Sequence, residues 1–474
     1  MKTTARLTYE KLRFDQSKDL HLAVTLEAPV IDWQARRPAV CVIPVIDVSG
    51  SMQGKKLHFA KESVRKLVDH LAPGDFCGLV TFTDDVRVMA PPAAMRPGEK
   101  AGLQAAVGQL EPQGSTNFAG GLLEGLRVAN ELALPPGMVR RVIMFTDGLA
   151  NVGVATRSTD LLKLLDANLG QATVSAFGYG EDADQELLRD ISTRGKGNYA
   201  FVKSPEDALT AFARELGGLL STYARDLEVV VRPAEGTELV NVISDVESRQ
   251  EGNAVRITVP DILSEEVRHL VVGLRMAARP APGKAPVLLV EGSCRVVDGD
   301  SGRTRTDRFE LTVEVERVPA GEEQVAPTRE VDEVVALAQL VRAQIEAEER
   351  ARRGELAAGR EILAALLASF EARGRGAAAE ACRRILGGLE DQVTYERSSA
   401  FRSSMRKGLS RSAAGMFEED ACMVLHQSGL RTTTSAQEAM ADAFTKEKPG
   451  AKDGAAPRTG KARGTLTRKK SKRW

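Results

Sequence analysis

Asp47, Ser49 and Ser51 stand at alternate positions in the stretch Val45-Ile46-Asp47-Val48-Ser49-Gly50-Ser51-Met52. A carboxylate and two hydroxyls offer hard oxygen donors, the kind that suits Mg²⁺. The apolar run Ala39-Val40-Cys41-Val42-Ile43-Pro44 precedes them, and helical spacing begins near Lys55. The oxygens therefore sit on a loop leaving a strand end, which in an open parallel sheet faces the ligand crevice. An ordinary Asp/Ser/Gly turn before a helix cap would use the same residue types. Two later stretches favour metal. Gly114-Ser115-Thr116-Asn117 adds a third hydroxyl. Phe145-Thr146-Asp147-Gly148 adds a second carboxylate, again directly after an apolar run, Arg141-Val142-Ile143-Met144.

Together, Asp47-x-Ser49-x-Ser51, Thr116 and Asp147 resemble the metal-ion-dependent adhesion site of the von Willebrand factor A domain, in that family's order and at its usual separations. The resemblance covers residues 36–223. It implies a bound Mg²⁺, with Mn²⁺ or Ca²⁺ as substitutes. It implies Ser49 and Ser51 as direct hydroxyl ligands, with Thr116 direct in the high-affinity state. Asp47 and Asp147 would act mainly through bound water or by switching shell. Gly50, Met52, Asn117 and Gly148 would form the rim that meets a partner. Three neutral hydroxyls leave the ion under-neutralised, so a partner's Asp or Glu is expected to complete its coordination.

These loops need a scaffold, and residues 39–220 supply one by alternating strands with helices, the pattern of a doubly wound α/β sheet. The expected strands are 39–46, 76–82, 86–89, 141–145, 173–178 and 199–202. The expected helices are 56–71, 98–110, 118–131, 159–169, 184–192 and 205–219. On the first helix Leu57, Ala60, Val64, Leu67 and Leu71 recur at core spacing.

Period-two runs come next, at 226–232, 239–246, 254–259, 267–276, 287–297 and 308–317. Turn clusters divide them, including Arg249-Gln250-Glu251-Gly252-Asn253, and this punctuation predicts an antiparallel β-sandwich. Two further strand-like runs, 6–14 and 20–26, precede the α/β unit. They are expected to complete the sandwich, with the α/β unit inserted in it; the other placement is a hairpin on the α/β sheet's edge. Residues 329–395 carry apolar stripes, Val331, Val334, Val335, Ala338, Val341 and Ile345, then Ile362, Leu363, Leu366, Leu367 and Phe370. They predict a helical hairpin or small bundle packed on the sandwich. The expected domains are thus 1–35 (strands joining the sandwich), 36–223 (the A domain), 224–320 (sandwich), 321–445 (helical region) and 446–474 (a disordered basic tail). This order resembles inter-alpha-trypsin-inhibitor-type proteins and their bacterial relatives. Short helices are also expected at 416–425 and 436–444.

The 474 residues are 43% hydrophobic and 27% charged, a globular composition. Net charge is zero, from 65 basic and 65 acidic residues. That balance hides a basic end, since residues 446–474 carry eleven Lys or Arg against two acids. Five scattered cysteines, with no Cys-x-x-Cys pair, predict neither a disulfide framework nor a zinc site. No apolar signal core and no run long enough to span a membrane is present, so a cytoplasmic location is expected.

Catalysis is not expected. No Gly-x-x-x-x-Gly-Lys-Ser/Thr phosphate loop occurs, and none of His21, His58, His70, His269 and His426 lies in the motif loops. Ser49 and Ser51 lack a paired general base. The leading reading is a Mg²⁺-dependent protein-binding scaffold that assembles or regulates a complex. One alternative is an adaptor subunit of an AAA+ ATPase of the MoxR type, the engine being another polypeptide. Another is nucleic-acid association through the basic tail, which would be strongly salt-dependent. That tail has no aromatic interleaving except Trp474, so base stacking is not supported.

Overall fold

The computed structural model describes residues 1–31, 39–134, 138–147, 150–180, 183–202, 205–297, 304–391, 411–413 and 434–446. Three strands come first: β1 (Lys2–Leu7), β2 (Lys11–Arg13) and β3 (Lys18–Glu27). The α/β unit is next, with β4 (Val40–Asp47), β5 (Phe76–Phe82), β6 (Val86–Ala94), β7 (Val139–Thr146), β8 (Ala172–Tyr179) and β9 (Lys196–Val202). They form one sheet in the order β6-β5-β4-β7-β8-β9, parallel except at the β6 edge.

Strands β4 and β8 are buried at every position, because helices cover both faces of the sheet. On one face lie α1 (Lys55–His70), α2 (Pro97–Gly108) and α6 (Pro205–Leu220); on the other α3 (Phe118–Glu131), α4 (Ser158–Asn168) and α5 (Gln185–Arg194). The core spacing on α1 holds, with Leu57, Ala60, Val64, Leu67 and Leu71 all buried. Strand β6 runs past the expected 86–89, through Pro91 and Pro92 to Ala94. An edge strand tolerates these prolines, since it need donate hydrogen bonds on one side only.

The sandwich comprises β10 (Thr222–Pro233), β11 (Thr237–Val242), β12 (Glu247–Glu251), β13 (Ala254–Val259), β14 (Ile262–Leu263), β15 (Glu266–Met276), β16 (Gly283–Val297) and β17 (Thr304–Val318). One sheet runs β1-β3-β15-β11 and the other β12-β13-β10-β16-β17-β2. Strands from both sides of the α/β unit therefore share each sheet. In β3 Leu22 pairs with Val272 of β15, and in β2 Leu12 pairs with Arg317 of β17.

Two local expectations need correction. The run 6–14 is not one strand but two, β1 and β2, assigned to opposite sheets. Thr8 makes the crossing: its hydroxyl takes the His21 N–H at 2.9 Å and donates to the His21 carbonyl at 3.0 Å. The cluster 249–253 is not all turn. Glu247–Glu251 is a wholly exposed edge strand on β13, with no apolar alternation to betray it.

The helical region begins with α7 (Arg329–Arg352), α8 (Leu356–Ala372) and α9 (Gly376–Gly387). Val331, Val334 and Val335 of α7 pack on Ala23, Ile243 and Val271 of the sandwich. Its other side, through Ala336, Leu340 and Ala347, shares a core with Leu363, Phe370, Cys382 and Ile385. The stretch 321–445 is not a single helical region, because its later elements join the other two units. Strand β18 (Arg411–Ala413) pairs with β15, and α10 (Ser435–Lys446) packs on α6 of the α/β unit, where Met440 joins the core. The apolar face of α10 finds its partner at a distance that helical spacing alone does not specify.

The α6 to α10 contact yields a prediction. A Cβ at Gly217 would stand 2.7 Å from Gln437 Cα and 2.8 Å from the Ala436 carbonyl oxygen. Gly217→Ala gains at most about 1 kcal/mol of helix propensity, whereas overpacking against backbone costs about 1–3 kcal/mol. The variant is expected to be less stable in denaturant and to expose residues 434–446 to protease. Unchanged protection of that segment would contradict the packing.

The expected helix at 416–425 lies outside the described residues, as do Cys422 and the basic tail beyond Lys446. Cys41, Cys77, Cys294 and Cys382 are free and buried. No helix among the described residues is long and apolar enough to cross a membrane.

Candidate metal centre

Strand order reverses between β4 and β7, and the two carboxylates lie there. Asp47 ends β4, and Asp147 comes directly after β7. Connections that diverge from neighbouring strands leave a crevice at such a point. Both side chains are fully buried.

Asp47 is held by two donors. Its Oδ1 accepts the Ser49 N–H at 2.9 Å and its Oδ2 the Thr146 hydroxyl at 2.7 Å. Burial pushes its carboxyl up to about 6; those hydrogen bonds pull the other way, and the Asp147 carboxylate adds to the rise. The Ser49 and Ser51 hydroxyls lie 3.0 Å apart, brought together by the 3₁₀ turn Gly50–Met52. Ser49 is buried and Ser51 exposed.

Backbone bonds join the three loops. Gly50 N–H donates to the Gly114 carbonyl at 3.1 Å, and Gln113 N–H to the Val48 carbonyl at 2.7 Å. Gly114 adopts φ +69°, and a Cβ there would come within 2.3 Å of Asp84 Oδ2. That oxygen accepts the Ser115 N–H, so the loop needs glycine at this point. Thr116 is buried, and its carbonyl accepts the N–H groups of Asn151 and Val152 at 3.1 and 3.3 Å. The loop of the third hydroxyl is thereby tied to the loop that comes after Asp147.

Asp147 differs from Asp47. Its Oδ2 accepts from Lys56 Nζ at 3.2 Å, while its Oδ1 is buried and makes no hydrogen bond. Buried carboxylate oxygens are seldom left so. An unbonded oxygen in a loop cluster carrying three hydroxyls and a second carboxylate fits a hard divalent cation. No group of three His, Cys, Asp or Glu placed to hold a metal occurs among the described residues; the candidate oxygen-bearing side chains on these loops are two carboxylates and three hydroxyls.

Some rim expectations change. Gly50 is exposed, but Met52 is fully buried, because the 3₁₀ turn folds it into the core beneath the sheet. Asn117 is half-buried and structural: its Oδ1 caps α3 at Gly120 N–H, and its Nδ2 reaches the Asp84 carbonyl. Gly148 lies outside the described residues. Val154, 78% exposed, stands two residues beyond Val152 on the loop bound to Thr116. Motif reading missed Lys56, Thr146 and Asp84. Adjacency is the only sequence signal for two of them, since Thr146 precedes Asp147 and Lys56 is the second residue of the helix after the motif; Asp84 has none. A separate cleft of about 870 Å³, lined by Arg194, Asn198, Glu228, His269, Val334 and Val341 among others, shares no residue with the three loops.

Residues 42–215 match the von Willebrand factor type A domain, and this part of the chain is such a domain. The inter-alpha-trypsin inhibitor heavy chain H1 of Homo sapiens is 32% identical over 197 residues, covering 40% of this chain and 21% of that protein. Uncharacterized protein YfbK of Escherichia coli (strain K12) is 29% identical over 250 residues, covering 48% of this chain and 43% of that one. The chain thus spans about a fifth of the length of the heavy chain it matches. Among solved structures, von Willebrand factor type A from Catenulispora acidiphila aligns with TM-score 0.62 at 17% identity, covering 80% of this chain and 89% of that one. That coverage takes the likeness in fold beyond the α/β unit.

Proposed function

We propose that Asp47, Ser49, Ser51, Thr116 and Asp147 hold Mg²⁺, with Mn²⁺ or Ca²⁺ able to replace it, and that the domain binds a protein partner there. The observation that carries this reading is the buried, unbonded Oδ1 of Asp147, in a loop cluster with three hydroxyls and a second carboxylate. A bound cation supplies electrostatic attraction for an incoming carboxylate, so the partner offers an Asp or Glu. The chain's own residues do the rest. Thr146 and the Ser49 N–H fix Asp47, the Gly50 to Gly114 bond fixes the hydroxyl loops, and Gly50, Ser51, Asn151 and Val154 present an exposed frame.

The role is binding rather than catalysis, since no histidine lies in the three loops to act as a base. The sandwich and helices make the chain a scaffold for assembling or regulating a complex. A cytoplasmic setting is supported by the four free, buried thiols. Co-purification from native cells, with and without EDTA, tests the reading. A partner retained only when Mg²⁺ is present is the expected result; a partner held equally well in chelator overturns it.

A further inference from the structure

Lys56 occupies an unusual place for a cation. It lies in the first turn of α1, at the end of the helix where positive charge is disfavoured, and that turn carries no acidic residue. Its side chain is nonetheless drawn inward, to 22% exposure, and bonds the wholly buried carboxylate of Asp147. The neighbouring Lys55 is exposed. Two buried carboxylates and one ammonium leave a surplus of negative charge here. A divalent cation drawn to the unbonded Oδ1 meets Lys56 on Oδ2 of the same carboxylate, as a like charge and a rival for its negative charge.

We propose that Lys56 is an affinity-setting residue, whose ammonium competes with the divalent cation for Asp147. This rests on the cation-binding reading above and adds to it the residue that limits occupancy. A four-carbon stem at the start of a helix can withdraw into water without moving the backbone. With Lys56 on Oδ2, a cation at the unbonded Oδ1 meets a like charge across the same carboxylate, so the protein binds metal more weakly than its buried oxygens would allow. Occupancy then tracks the local cation concentration instead of saturating.

The test uses the full chain, with Lys56→Met and the charge-keeping Lys56→Arg. Calorimetric titration with Mg²⁺ and with Mn²⁺ is paired with melting in chelator. Lys56→Met is expected to bind about tenfold more tightly than wild type, the factor set by about 1.4 kcal/mol, and to melt lower in chelator because Asp147 loses its partner. Lys56→Arg is expected to stay near wild type in both. Should Lys56→Met fail to fold, Lys56→Gln carries the same expectation. Wild type that binds cation while neither neutral variant binds more tightly overturns the competition alone. Binding by a neutral variant but not by wild type supports it. No uptake by wild type or by either neutral variant overturns the cation-binding reading and this inference with it.

Discussion

Asp147→Asn is expected to weaken Mg²⁺ binding by about 10–100-fold, while the protein in chelator remains at least as stable as wild type. The two halves of this expectation have different sources. Binding falls because the amide keeps the shape of the carboxylate but not its charge. Stability is spared because the side chain is fully buried, one of its oxygens has no hydrogen bond, and its partner Lys56 can reach solvent. Calorimetry and denaturation in EDTA read the two effects separately. A loss of stability with unchanged affinity would make Asp147 a structural residue and remove it from the proposed centre.

Phe145→Ala is expected to destabilise the α/β unit by about 3–5 kcal/mol. Its ring is fully buried, stacks on Phe177 at 5.5 Å, and meets Phe212 at 5.7 Å and Tyr179 at 6.5 Å. Aromatic pairs of this kind add to the area they bury. These rings bridge β7, β8 and α6, so the same change loosens the strand that delivers Thr146 and Asp147. Guanidinium denaturation gives the cost, and amide exchange along β7 locates it. A shift below about 1 kcal/mol would mean that the neighbouring rings refill the space.

Much of the α/β unit was legible because its signals are local. Helix α3 runs over 118–131 and strand β5 over 76–82, as spacing predicted, since Asn117 caps the one and the apolar run defines the other. The five oxygen-bearing residues could be picked out, as could the placement of the two carboxylates at strand ends, Asp47 closing β4 and Asp147 following β7. What was lost depends on partners far away in the chain. Thr8 splits one apparent strand by bonding His21, β12 is an edge without an apolar face, and α10 finds its partner on α6. Met52 misled for a related reason. Its position beside the motif suggested the rim, but a 3₁₀ turn decides which way the side chain points. Lys56 escaped notice because its importance lies in one distance across space, not in a spacing along the chain.

The interleaving of the two units carries a consequence for biosynthesis. The α/β sheet closes within contiguous sequence, but β3 must await β15, with Leu22 meeting Val272. At about 5–20 residues per second, the intervening stretch of about 250 residues takes roughly 12–50 s to emerge from the ribosome. The α/β unit can therefore fold while β3, paired on one side with β1, still presents its other edge to whatever else is nearby. Charges at both ends of β3, Lys18 and Asp19 at one and Glu27 at the other, help keep that waiting segment from aggregating.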